Sequence, residues 1–357
     1  MEDAFFLAVA ASSVERPLIP DVRFDFGTYS DANALEDFRF TCSQLQRLTG
    51  VMQIPNVFIT GAGDRLLGEE ALAMLCYRMS YPGKLSKIRK QFGRSDASCS
   101  RIITDLYCWL DKEWKDTLYF NDRVFIERHA DYIQAVTTKT AGIVDGVSMF
   151  IDGTKGFICR PGKRRRRFRA MQGALDAIPV DDRENLQKVC YSGHKRRHCL
   201  NYQGVCTPDG RLHDSTMLRD SMLFPYLENH SVVQEQAVLM YGDPAYGIDA
   251  MLCSPFHDAQ MGSAEKRFNE LMSKNRVSIE WMFGILKSKW AFIDWNKKHK
   301  ILLTPVARMV RVAMLLTNAM TCVHEGNQIS DHFDCAPPTL EEYFRKPMET
   351  NRLLPSD

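Results

Sequence analysis

The sequence predicts an α/β chain of the α+β kind, an all-α N-terminal part followed by strands mixed with helices, on three observations. Apolar residues recur at helical spacing over residues 33–127. From Gly146 the texture changes to short apolar strands alternating with helices, which marks a boundary. The segment 276–290 is apolar around nearly its whole circumference, the signature of a buried helix.

The 357 residues suffice for one large domain or two ordinary ones. With 45% hydrophobic and 25% charged residues, and no apolar run read as long enough to cross a membrane, a soluble globular protein is expected. The first eleven residues faintly suggest a signal peptide, but Glu2 and Asp3 stand where a basic region belongs, which argues against one. Eleven cysteines, an odd number without Cys-x-x-Cys, point to a reducing compartment and to thiols used as small core residues. Cys190, His194, His198, Cys199 and Cys206 could be imagined around zinc. Their spacing fits no common finger, and a strand over 198–206 would alternate their faces, so zinc is the weaker reading.

Element by element, residues 1–30 lack periodicity and read as a loose arm. Helices are expected over 34–40, 42–48 and 68–79, the last stopped by Pro82-Gly83. A short helix over 84–92, with Gly93 beyond its end, precedes a longer one that Ser95 or Asp96 can cap. Basic residues on the first and Ser100-Arg101 near the start of the second make the outline of a helix-turn-helix within a helical domain, 31–145. The second domain, 146–325, begins with the strand run ending at Asp152, continues with a strand over 197–206 and a turn at Pro208-Asp209-Gly210, and then a helix over 215–223 capped by Asp214. A strand ending at Asp243, the helix of Glu280 and a helix at 306–323 follow. Residues 326–357 read as a mostly irregular tail with one helical stretch near 340–344.

Three carboxylates carry the chemistry. Asp152 ends the run Val147-Ser148-Met149-Phe150-Ile151, Asp243 ends Ala237-Val238-Leu239-Met240-Tyr241-Gly242, and Glu280 lies within the buried helix. Two acids at strand ends and a third on a helix are what a pair of Mg²⁺ or Mn²⁺ ions would need against a phosphodiester. At about 100° per residue, Arg276, Glu280 and Lys287 fall within roughly 40° of one another. A charged stripe on a buried helix must meet a cavity, a metal or an opposite charge; an ordinary Arg276–Glu280 pair within the helix is the plainer alternative. Net charge is only +2, but Lys163, Arg164, Arg165, Arg166 and Arg167, with Lys195-Arg196-Arg197, form a basic zone after Asp152. A polyanion such as DNA, a nuclear import signal or a merely solvated loop would each account for it.

Phe150-Ile151-Asp152-Gly153-Thr154, Tyr191-Ser192-Gly193-His194, His213-Asp214-Ser215, Gly242-Asp243-Pro244-Ala245-Tyr246 and Arg276-x-x-x-Glu280-x-x-Phe283-Gly284-x-Leu286-Lys287 together resemble the PIF/Harbinger family of DDE transposases, in order and spacing. The resemblance runs from about Asp37 to Asn318. It implies an RNase H-like fold, a mixed sheet with helices on both faces, in which Asp152, Asp243 and Glu280 are the DDE triad holding two divalent ions. It also implies that Arg276 and Lys287 bind end DNA, that the protein is nuclear, and that it acts on transposon ends and target DNA with a Myb-like DNA-binding partner; a homo-oligomer is a separate expectation. The chain departs from the family pattern twice. A strand of about a dozen residues expected between Gly210 and Arg211 is missing, and residues 162–184 are an insertion carrying the arginine run. Two rivals stand beside a DNA-cutting enzyme: a non-catalytic DNA-binding or scaffold protein that keeps the fold, and a metal phosphohydrolase centred on His213 and Asp214.

Overall fold

The computed structural model describes residues 18–161, 186–214, 222–230, 233–235, 237–257, 260, 262–301 and 303–348. The basic run 163–167, the insertion that holds it and most of the helix expected over 215–223 lie outside them.

The helical part begins with α1 (Asp31–Phe38) and α2 (Cys42–Val51), capped by Ser30 and by a Thr41–Gln44 capping box. A small hairpin, β1 (Val57–Ile59) and β2 (Arg65–Leu67), intervenes before α3 (Gly68–Ser80), α4 (Leu85–Phe92), α5 (Asp96–Tyr119) and α6 (Asp122–Lys139). Gly93 ends α4 in the left-handed region at φ 59°, and a Cβ there would stand 2.1 Å from the Val22 carbonyl oxygen. That contact belongs to a docked N-terminal stretch. Phe24 lies against Phe38 and Phe92, and Phe26 is buried. The helix pair α4–α5 therefore exists, with Ser95 capping α5 through the Ser98 amide. Its arginines are engaged: Arg94 forks onto Glu70 and Arg101 onto Asp64, which holds the Asp64 carboxyl well below the usual range. Lys84, Lys87 and Lys90 are exposed.

The second part is built on a six-stranded mixed sheet. Its strands are β3 (Val147–Phe157), β4 (Tyr191–Ser192), β5 (Arg197–Cys206), β6 (Leu212–Asp214), β7 (Leu239–Tyr241) and β8 (Leu252–Cys253), with a short helix α7 (Leu186–Val189) before β4 and α8 (Leu223–Asn229) after β6. The order is β4-β5-β3-β7-β8, with β6 also on β5. β5 runs antiparallel to β3, whereas β3, β7 and β8 are mutually parallel. The long α9 (Ala264–Lys289) and α10 (Val306–Val323) pack on the strands, followed by α11 (Gln328–Phe333) and α12 (Leu340–Tyr343). One buried apolar cluster runs through both parts, from Phe26 to Phe344. The C-terminal stretch joins it: Phe333 stacks on Phe150, and Trp114 meets Phe344 edge-on.

Two expectations need revision. The third strand is present, as the three-residue β6, although the long version is gone. Its outer edge would expose backbone groups inside the protein, and an amide side chain satisfies them. The Leu212 amide donates to Asn318 Oδ1 at 2.9 Å, and Asn318 Nδ2 donates to the Leu212 carbonyl at 2.8 Å. The shortened hairpin is held by a buried cluster in which Asp209 accepts from Arg211 Nε, Tyr132 and Thr207. Second, α10 is long and apolar enough to cross a membrane by length and composition, yet 78% of it is buried inside this fold, where Arg308 and Arg311 bind Asp111 of α5. It is a core helix.

Candidate active site

Val147 through Ile151 of β3 are buried, and Asp152 is the first residue at which the strand leaves the core. Directly across from it on β5 is Gly204. A Cβ there would come within 2.7 Å of Leu212 and 3.3 Å of the Phe283 ring, so the bare glycine lets α9 lie close against the strands. The charged stripe of α9 then faces β3. Arg276 donates through Nη1 to Asp152 Oδ2 at 2.8 Å and through Nη2 to Glu280 Oε1 at 3.0 Å, while Lys287 Nζ donates to Thr154 Oγ1 at 2.9 Å. The intrahelical pair considered above is real, and the same guanidinium also reaches Asp152. Asp152 and Arg276 are about four-fifths buried (18% and 22% exposed), whereas Glu280 is half-exposed.

Asp243 arrives from the neighbouring strand. Tyr241 of β7 is in register with Phe150 of the parallel β3, so Asp152 and Asp243 each lie two residues beyond a paired position. Strands in a sheet are spaced about 4.8 Å apart. Asp243 caps the 3-10 turn Pro244–Tyr246 by accepting the Ala245 amide at 2.9 Å. The turn folds Tyr246 back over Gly242, where a Cβ would meet the ring at 2.8 Å and Ile151 at 3.0 Å. Tyr246 accepts a hydrogen bond from Gln203 at 3.1 Å. Burial pushes its phenol up to about 12; the negative charges of Asp152 and Asp243 add to that, against Gln203 and Arg276. One phenol thus feels both aspartates and the guanidinium.

The donor set suits a hard divalent cation in type and charge, because Asp152 and Glu280 share a single guanidinium and Asp243 accepts only a backbone amide among the described residues. The three are not gathered as a ligand set: among the described residues no group of three or more His, Cys, Asp or Glu is arranged to hold a metal. The physical reason is Arg276, which serves as the counter-charge of two of them.

Other expected residues lie elsewhere. His213 is not at this site. It is buried against the Phe120 ring, its Nε2 lacks a partner among the described residues, and burial drives its pKa down to about 3. Asp214 pairs with Gly204, which puts it two strands from Asp152, buried and within the field of Arg311 and Tyr202. Sequence reasoning assigned no role to Thr154, Gln203 or Tyr246. Thr154 was findable, since it sits two residues beyond Asp152 on the same strand face. Gln203 was not, because its position follows from strand register.

The sheet brings the strand-end aspartates and the Arg276-Glu280-Lys287 face to one edge of a mixed α/β scaffold. Residues 176–318 match the family described as DDE superfamily endonuclease. The match takes in Asp243, Arg276, Glu280 and Lys287 and begins after Asp152. No curated protein and no solved structure matches the chain.

Proposed function

We propose that the chain is a metal-dependent DNA endonuclease and strand transferase of the PIF/Harbinger type. Asp152, Asp243 and Glu280 would hold Mg²⁺ or Mn²⁺. When bound, such ions lower the pKa of an attacking water or DNA 3′-hydroxyl and neutralise the departing oxygen. Arg276 orients Asp152 and Glu280 and must yield one of them as the ions enter. Lys287, held at Thr154, offers a point charge to the phosphate. Tyr246, protonated at neutral pH, can donate a hydrogen bond at the same edge. DNA further from the cut would lie on the exposed Lys84, Lys87 and Lys90 of the helix-turn-helix and on the run 163–167. Transposon ends as substrate, a Myb-like partner, self-association and a nuclear address belong to the same proposal.

The observation that carries it is the meeting of Asp152 and Glu280, 128 residues apart in the chain, on one guanidinium beside the Asp243 strand end. Nicking of terminal-repeat DNA in Mg²⁺ should be lost in Asp152→Ala, and equal nicking by both proteins rules this site out. The hold of Arg276 on two of three acids favours one alternative, a non-catalytic DNA-binding protein that keeps the fold. Calorimetric titration with Mg²⁺ separates them: that alternative predicts salt-sensitive DNA binding without carboxylate-dependent Mg²⁺ heat.

A further inference from the structure

Beside the acidic edge lies an open groove of about 920 Å³ that the chemistry above leaves unused, lined by Phe256, Lys266, Asn269, Glu270, Lys274 and Val277 among others. Its location follows from the sheet. Phe150, Tyr241 and Cys253 are in register on the three parallel strands, so the chain leaving β8 at Phe256 emerges at the same end as Asp152 and Asp243. Two strand spacings, about 10 Å, separate β8 from β3. Ligands of such sheets collect at the carboxyl ends of parallel strands.

Phe256 is 50% exposed and fixed in place. Its amide donates to Asn269 Oδ1 and its carbonyl accepts from Asn269 Nδ2, both at 2.9 Å. The ring also meets Phe268 edge-on at 5.3 Å, and Phe268 in turn meets Tyr241 at 6.1 Å. Lys266, Glu270 and Lys274 line the groove at successive four-residue steps of α9, so cations outnumber the one acid. Neither lysine side chain is ion-paired among the described residues. Asn269 is two helical turns before Arg276 on almost the same line of the helix, to within roughly 20°. The groove therefore continues the acidic site along α9.

A rigid exposed ring between free cations suits a flat π-face with flanking negative charge. A base pair inside a duplex cannot present that face, since its neighbours stack on both sides, and an unpaired end offers it without the constraint of a partner base. The apolar strip of Phe256, Pro255 and Val277 is bordered by Lys266, Glu270 and Lys274, so the groove favours a ligand that joins a flat apolar face to negative charge over a wholly apolar peptide. We propose that Phe256 stacks on an unpaired base of the DNA strand a few nucleotides from the scissile phosphodiester, with Lys266 and Lys274 on the adjoining phosphates. The inference rests on the nuclease reading above and adds that the site selects frayed or single-stranded ends.

The test uses the full chain in EDTA, so that no DNA is cut, with two probes: a blunt duplex, and the same duplex with a short unpaired end carrying 2-aminopurine. The wild type should quench the 2-aminopurine and bind the unpaired end more tightly. Phe256→Ala should lose the quenching and bind that end about 10- to 100-fold more weakly, with blunt-duplex affinity within about two-fold, while Phe256→Trp restores both. Lys266→Ala and Lys274→Ala should each flatten the salt dependence of binding. Phe256→Ala indistinguishable from wild type on both probes overturns the stacking site and leaves the nuclease reading standing, as does a ring that serves a second copy or a protein partner and never quenches the probe. A wild type that binds neither probe overturns both.

Discussion

At the residue scale, Arg276 is a tethered cation. Its two bonds set one positive charge against both Asp152 and Glu280, and only the first is well shielded from water, so Glu280 contributes little stability through it. Arg276→Ala removes the cation that Asp152 and Glu280 share. In EDTA it should lower unfolding free energy by about 1–2 kcal/mol, and millimolar Mg²⁺ should restore most of the loss if the acids share an ion. Urea denaturation with and without Mg²⁺ checks this; no recovery would mean that they do not. Gly242 makes a separate prediction. Its absent side chain is the room that Tyr246 occupies, so Gly242→Ala should cost about 1–3 kcal/mol and displace the tyrosine from Gln203. A wild-type Tm for that variant would show that the turn relaxes at no cost.

At the scale of elements, β6 survives because a helix completes it. Asn318 of α10 makes both hydrogen bonds that another strand would have made to Leu212, and its amide also donates to the Tyr343 hydroxyl at 2.9 Å. Asn318→Leu is nearly isosteric but leaves a buried amide and carbonyl unpaired, at about 1–3 kcal/mol each. Denaturation should show a loss of about 2–5 kcal/mol, and a loss under about 1 kcal/mol would mean that the edge finds other partners. These elements also show what could be read beforehand. The α3, α4 and α5 helices and the C-terminal part of α9 were legible from their apolar spacing and from stops at Pro82, Gly93 or a cap, whereas residues 264–275 of α9 were not. Asp152 and Asp243 were legible as the first polar residues after apolar strand runs. The hairpin β1–β2, the strand β6 and the helix α11 were not: each spans three to six residues, too few to establish a period. The pairing of Asp152 with Arg276 needed the crossing of α9 over β3, which no local pattern encodes. His213 misled because a His-Asp pair looks the same in a site as in a core.

At the scale of the whole molecule, buried titratable groups set the pH range of stability. His213 is neutral when folded, with its pKa near 3 against 6.5 in the unfolded chain, so between those values the unfolded state binds the extra proton. Burial alone would raise the Asp209 carboxyl, but Arg211 and the donors Thr207 and Tyr132 outweigh it and hold the carboxyl low, so Asp209 also loses stabilisation as pH falls. Both act in one direction. Stability should drop as pH falls from 6.5, with His213 contributing up to about 1.4 kcal/mol per pH unit above pH 3. His213→Leu should therefore lose less than wild type between pH 7 and pH 4.5 in parallel denaturation curves; equal losses would show that the imidazole already escapes burial. Asn318 has one further consequence, for assembly. By imitating a peptide unit, its carboxamide occupies the outer backbone groups of Leu212, so no foreign chain can pair with the sheet at that residue. Multimers of this protein must therefore be joined through side chains or through another border, never by lengthening the sheet past Leu212.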